Sequence, residues 1–202
     1  MKILAVFSHP MRHSFTGQVL DSFVKGLHEA GHEVEIADLY SEGFQAIMQE
    51  RDFAQFEDLP MPDDVLREQQ RFERCDAFVL IFPIWWWSFP AMLKGWIERV
   101  FTAGWAFKVT DDPSGSLLES RKALMICCAG GSSRMYEKYG TREALKNMIE
   151  VGVMEYCGVT DVETKILYKA RTAFEISEEN KQTREQHLVT AYELGRGYFT
   201  SS

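Results

Sequence analysis

Three short runs in this chain, Lys2–Phe7, Ala77–Phe82 and Ala123–Cys128, are almost wholly apolar. Strands with no wet side belong inside a parallel sheet that is covered on both faces. His32–Ala37 alternates and reads as a strand nearer an edge, and Val159–Leu167 is a weaker fifth. Helical stripes lie between these runs. Val19, Leu20, Phe23, Val24 and Leu27 form the first, closed by Gly31. Pro62 to about Arg74 forms the second, with Asp63 and Asp64 in its first turn. Pro90 opens the third, whose buried side is Met92, Leu93, Trp96, Ile97, Val100 and Phe101, with Lys94 and Glu98 paired at i,i+4 opposite. Leu145, Met148, Ile149, Gly152, Val153 and Tyr156 give a fourth. A fifth runs from about Ser177, with Leu188, Ala191, Tyr192, Gly195, Tyr198 and Phe199 on one side. Asp38 to Met61 is a long connection with no pattern of its own. Alternating strands and helices predict an α/β fold: an open, parallel, five-stranded sheet with helices on both faces and right-handed crossovers. Ligands of such sheets bind beyond the carboxyl ends of the strands, which singles out the loops after Phe7, Phe82 and Ala129.

The 202 residues suit one domain over 1–202. The net charge of −8 (22 − 30) argues against a nucleic-acid partner. Cys75, Cys127, Cys128 and Cys157 form no C-x-x-C pair, so reduced buried thiols are expected, and no metal site. Cys127 and Cys128 are adjacent and point to opposite sheet faces. Ala77–Leu93 carries no charge, but Pro83 and Pro90 cut it well short of the roughly 20 residues a spanning helix needs. The apolar run at the amino terminus is too short for a signal segment. The expectation is a cytoplasmic protein that does not insert into a membrane.

The three loops differ in chemistry. Ser8–Gly17 has neither G-x-G-x-x-G nor a Walker-A pattern. It brings Ser14 and Thr16 hydroxyls to a helix start, with His9, Arg12 and His13 beside them, which suits a phosphate. Ser14 equally suits an ordinary helix cap. Phe82–Pro90 holds three consecutive tryptophans, Trp85, Trp86 and Trp87, which cannot all face one core. Their flat faces fit a planar ligand or a partner chain. Gly130-Gly131 admits close approach of a ligand, or simply makes a turn. Together, a phosphate pocket, an aromatic platform and a glycine floor match what a flavin mononucleotide moiety requires.

The stretch from Phe82 to Phe101, with Phe-Pro-Ile-Trp, then Pro-Ala-Met-Leu-Lys-Gly-Trp and Glu-Arg-Val-Phe, resembles the NAD(P)H:quinone oxidoreductase (DT-diaphorase-like) family of flavodoxin-type flavoproteins. Ser8-His9 with Ser14-Phe15, Asp38-Leu39-Tyr40, Gly130-Gly131 with Met135-Tyr136, and Cys157-Gly158 extend the likeness over roughly residues 2 to 168. The resemblance implies a flavodoxin-like fold. It implies that His9, Ser14, Phe15 and Thr16 hold the flavin phosphates. Pro83, Ile84, Trp85, Trp86 and Trp87 would line the isoalloxazine, with the Trp85 N–H near flavin N5. Cys128, Ala129, Gly130, Gly131 and Tyr136 would border its other edge. It further implies a homodimer with a shared pocket. NAD(P)H would pass a hydride to the flavin and leave, and a quinone or similar small acceptor would then take it, a two-electron ping-pong.

The family's catalytic pair is a Tyr followed a few residues later by a His. Tyr136 matches the first, and the His position falls on Arg142. Arginine is no general acid at neutral pH, so Arg142 would act as a fixed cation and the proton would come from Tyr136 or water. The Asp38–Met61 connection is shorter than in larger members and a long carboxyl-terminal extension is absent, so FAD stands with FMN as its alternative. Two other readings use the same fold: an ancillary regulatory flavoprotein subunit of a potassium-efflux-type membrane system, and a one-electron carrier.

Overall fold

The computed structural model describes residues 1–57, 59–108, 118, 121–170 and 178–200. Strands β1 (Lys2–Phe7), β2 (Glu33–Asp38), β3 (Ala77–Pro83), β4 (Lys122–Cys128) and β5 (Val162–Leu167) form one sheet in the order β2-β1-β3-β4-β5, with every neighbouring pair parallel. This is the open five-stranded sheet expected from the apolar runs. The helices are α1 (Phe15–Glu29), α2 (Asp63–Glu73), α3 (Ala91–Val100), α4 (Ser133–Lys138), α5 (Thr141–Lys146) and α6 (Glu178–Gly197). Ser177, where the last stripe was expected to begin, lies outside the described residues. After β2 the chain crosses to the far side of β1, so the strand order reverses between β1 and β3. A crevice forms at such a reversal.

The period-two alternation of the strands divides the core in two. Ile3, Ala5, Phe7, Val79, Ile81 and Ile126 pack under α1 and α6. Leu4, Val6, Phe78, Leu80, Phe82 and Met125 pack under α2, α3 and the segment after α5. Cys127 and Cys128 fall on opposite faces, and all four cysteines are buried. On one face α1 and α6 cross at glycines. A Cβ on Gly195 would stand 2.1 Å from the Phe23 carbonyl oxygen, and one on Gly26 would stand 2.1 Å from that of Tyr192.

Two parts depart from the sequence pattern. The stripe from Leu145 to Tyr156 holds at Leu145, Met148, Ile149 and Val153 but fails at Gly152 and Tyr156, which are exposed. From Asn147 to Met154 the chain is a π-helix, which adds a residue per turn and rotates the later positions. Met154 is therefore buried and Tyr156 is half out in solvent, where it meets the Phe107 ring at 5.4 Å. The second departure is the patternless connection. It contains a 3-10 turn, Glu50–Phe56, anchored by the fully buried Arg99 of α3. The Arg99 guanidinium donates to Asp52 at 2.8 and 3.0 Å, to Asp64 at 2.6 Å and to the Gln45 carbonyl at 2.6 Å. Arg99 holds the Asp64 carboxyl below its ordinary range. Nearby, burial pushes the Glu68 carboxyl up, although it accepts the Trp96 indole N–H at 2.9 Å.

Candidate active site

The loop from β1 to α1 is built around a helix start. Ser14 caps α1 by accepting the Gly17 N–H at 3.2 Å, and the Phe15 and Thr16 N–H groups ahead of it donate to nothing among the described residues. The loop lies so close over this turn that a Cβ on Gly17 would meet the Arg12 carbonyl oxygen at 1.8 Å. Beside it the Ser8 hydroxyl is buried without a hydrogen-bond partner. His9 is buried and accepts the Met11 N–H at 3.0 Å, and desolvation lowers its pKa. Its ring stands 5.8 Å from that of Trp85. Arg12 does not add free charge to the pocket, because it pairs with Asp21 of α1. Phe15 is buried in the core, where the Arg184 guanidinium of α6 sits 4.6 Å over its ring. Its side chain is an anchor, and only its backbone faces the loop.

The tryptophan loop is a tight hairpin. Trp85 and Ser88 exchange backbone hydrogen bonds at 3.3 and 3.1 Å, and the two residues between them, Trp86 and Trp87, have φ of +50° and +62°. Both central residues at positive φ define a type I′ turn, a place normally taken by Asn-Gly. Two tryptophans there are strained, of order 1–3 kcal/mol each. The turn sends the three indoles apart: Trp86 is 95% exposed, while Trp85 and Trp87 are 40% exposed and flank the crevice. The Trp85 N–H is occupied by Ser88, and the Trp86 and Trp87 N–H groups donate to nothing among the described residues. Pro83 ends β3, and Ile84 is buried with its N–H on the Cys128 carbonyl at 2.9 Å.

The loop after β4 lies across the crevice. Ala129 is buried and Gly130 exposed. A Cβ on Gly131 would meet Met135 at 2.2 Å. The Cys128 thiol is buried beside the Thr16 hydroxyl, and burial pushes its pKa up to about 12. It is a packing group and not a thiolate. Tyr136 of α4 is buried between Trp87, at 4.8 Å between ring centroids, and Tyr168, at 5.2 Å. Burial pushes the Tyr136 phenol up to about 12, so it stays protonated at neutral pH. Arg142, on α5, is on the surface and ion-paired with Glu137 at 3.0 Å and Glu143 at 2.8 Å. Its charge draws the ionisation of Tyr168 down against burial, and the Tyr168 ring packs on that of Tyr136.

Sequence reasoning missed four side chains here: Ser8, Tyr168, Arg184 and His187. Tyr168 was the most findable, since it follows a fifth strand whose carboxyl end points the same way as the others. His187 and Arg184 carry no local signal, because α6 reaches the site only through the α1–α6 crossing.

The residues fit a flavin. Two free N–H groups and the unpartnered Ser8 hydroxyl suit a phosphate at the α1 start, Trp85 and Trp87 give flat walls, and Gly130-Gly131 leaves room for a ring edge. Comparison with known proteins gives the family. A family model described as flavodoxin-like fold matches residues 1–191. An NAD(P)H:quinone oxidoreductase from Methanothermobacter marburgensis superposes with a TM-score of 0.85 at 33% identity, over 100% of this chain and 98% of its own. The NAD(P)H dehydrogenase [quinone] 1 of Rattus norvegicus is 26% identical over an alignment of 222 positions that covers 100% of this chain and 81% of the rat protein. An FMN-dependent NADH-azoreductase from Bacillus anthracis, solved with FMN, shares the fold at a TM-score of 0.72 and 18% identity over 96% of this chain and 100% of its own. The chain belongs to the flavodoxin-like fold family, among its members similar to NAD(P)H:quinone oxidoreductases.

Proposed function

We propose that this protein is a flavin-dependent oxidoreductase that uses NAD(P)H to reduce quinones by two electrons in a ping-pong sequence. The observation that carries this reading is the convergence, at the carboxyl ends of the strands, of two helix N–H groups that donate to no described residue, a tryptophan-walled crevice and a buried phenol. A bound flavin, FAD or else FMN, would supply the electron carrier between nicotinamide and acceptor. The chain's own part is positional. The Phe15 and Thr16 N–H groups, with Ser8, Ser14 and Thr16 hydroxyls, hold the phosphate. Trp85 and Trp87 clamp flat rings and exclude water, which keeps donor and acceptor at reacting distance. The free N–H groups of Trp86 and Trp87 are better placed than that of Trp85 to hydrogen-bond a ring heteroatom. Tyr136 holds its proton at Oη and donates it to the acceptor oxygen that gains charge.

The acidic chain has an apolar surface that supports the homodimer reading. Ile47, Phe53, Phe56 and Leu59 are exposed along the connection that Arg99 anchors. A second subunit on this face would cover them. Apart from such pairing, no helix among the described residues is long and apolar enough to cross a membrane.

The test is direct. Protein mixed with FAD or FMN and gel-filtered should retain one of them, identified by mass after denaturation. The yellow complex should bleach with NADH or NADPH in the absence of oxygen and recolour on adding benzoquinone. Protein that retains neither flavin ends the proposal.

A further inference from the structure

The loop after β5 holds a second tyrosine at the site, more firmly than a surface loop requires. The Ala129 N–H donates to the Leu167 carbonyl, the Ala170 N–H to the Ala129 carbonyl and the Lys169 N–H to the Gly131 carbonyl, each at 2.8 Å. Lys169 has φ +56°, a left-handed conformation uncommon for a side-chain-bearing residue. The His187 imidazole of α6 donates to the Tyr168 carbonyl at 2.6 Å. Held this way, the Tyr168 ring meets that of Tyr136 edge-on, at 5.2 Å and 70°. Its hydroxyl is buried and has no hydrogen-bond partner of ordinary geometry among the described residues. A buried, partnerless hydroxyl is costly and is a feature to be explained by function.

We propose that Tyr168 is a proton-relaying residue of the candidate active site, passing protons from the Arg142 surface to Tyr136. The inference rests on the quinone-reducing reading above. In that reaction NAD(P)H is oxidised to NAD(P)+ and delivers two electrons with one proton, and the quinone needs one proton more to become the hydroquinone. The Tyr136 O–H bond breaks as the acceptor O–H bond forms. Tyr168 then passes its proton to the Tyr136 oxygen across a bridging water and is itself reprotonated by solvent at Arg142, so no other reactant is consumed. The charged and titratable groups around Tyr168 are Tyr136 and Glu137 of α4, Arg142 and Glu143 of α5, and His187 at its carbonyl. Burial raises the Tyr168 ionisation, Arg142 draws it back down, and Glu137 and Glu143 oppose Arg142. Arg142 thus takes the part of a cation that eases proton release, without giving up a proton itself.

The experiment uses Tyr168→Phe, which keeps the ring and removes the hydroxyl, in three measurements. Flavin retention and flavin reduction by NADPH should stay within about twofold of the parent, whereas reoxidation by benzoquinone should slow by about tenfold, since a positioned proton donor contributes up to 10²–10⁴ in rate. The pH profile of reoxidation should change from nearly flat to falling as pH rises, because solvent protons replace the relay. In the flavin-free protein, tyrosine-ζ-carbon NMR should show Tyr136 ionising at lower pH once Tyr168 is Phe, because the nearby phenolate no longer repels it. Arg142→Gln should raise the Tyr168 midpoint in the same titration. If the parent turns over while Tyr168→Phe matches it in reoxidation rate and in pH profile, the relay is wrong and the function stands. If the parent retains no flavin, both are wrong.

Discussion

Trp86 and Trp87 show how a residue can be plain in a sequence and its conformation hidden. Three adjacent indoles announce an aromatic wall, but nothing in their order announces a type I′ turn, since tryptophan is a poor choice at positive φ. The strain makes a prediction. Trp86→Asn removes a side chain that is almost fully in solvent and places there a residue that tolerates the left-handed region. It should stabilise the flavin-free protein by about 1 kcal/mol, read as a higher denaturant midpoint with unchanged m. A second residue-scale effect concerns His9. Burial lowers its pKa, so the folded state binds fewer protons than the unfolded chain. The stability it contributes is present above the ordinary value of 6.5 and is lost as pH falls through the lower folded pKa. Chemical denaturation at a series of pH values from about 7 to 5 should show stability declining on acidification, with a shallower decline in His9→Gln. His32 is shifted the same way by burial and remains as background.

At the scale of elements, the strands were legible because burial on both faces leaves an unbroken apolar run. The phase of the fourth stripe was not, because a period of 3.6 cannot foresee a π-helix whose extra residue turns Tyr156 outward. Nor could the stripes reveal how closely two helices meet. Gly195 sits on the apolar side of α6 in any helical projection, yet only the structure shows the Phe23 carbonyl pressing on it. Gly195→Ala should therefore destabilise by about 2 kcal/mol despite the better helix propensity of alanine, because overpacking against backbone outweighs the gain. The same substitution should weaken flavin retention, since α6 carries Arg184 and His187 to Phe15 and Tyr168. Thermal melts with and without added flavin separate the two effects.

For the whole molecule, the long connection was unreadable because what orders it is distant in sequence. Asp52 and Asp64 stand 47 and 35 residues from Arg99, and no local pattern pairs them. Arg99→Leu would leave Asp52 buried without its partner and should cost about 3–5 kcal/mol. Its loss should also free the exposed Ile47, Phe53 and Phe56 surface, so that sedimentation should show the proposed dimer weakened. Phe53→Glu with Phe56→Glu should give monomer while leaving the Arg99 cluster and the fold intact. If the doubly substituted chain sediments as the parent does, this face is not the interface of the proposed dimer.

The backbone bonds that run on past the ends of β4 and β5 make the glycine floor and the Tyr168 turn one mechanical piece. Neither can swing aside to admit a bulky acceptor unless the other swings with it. A single residue inserted between Leu167 and Ala170 would therefore break both sets of bonds at once and should disturb the glycine turn as well as Tyr168.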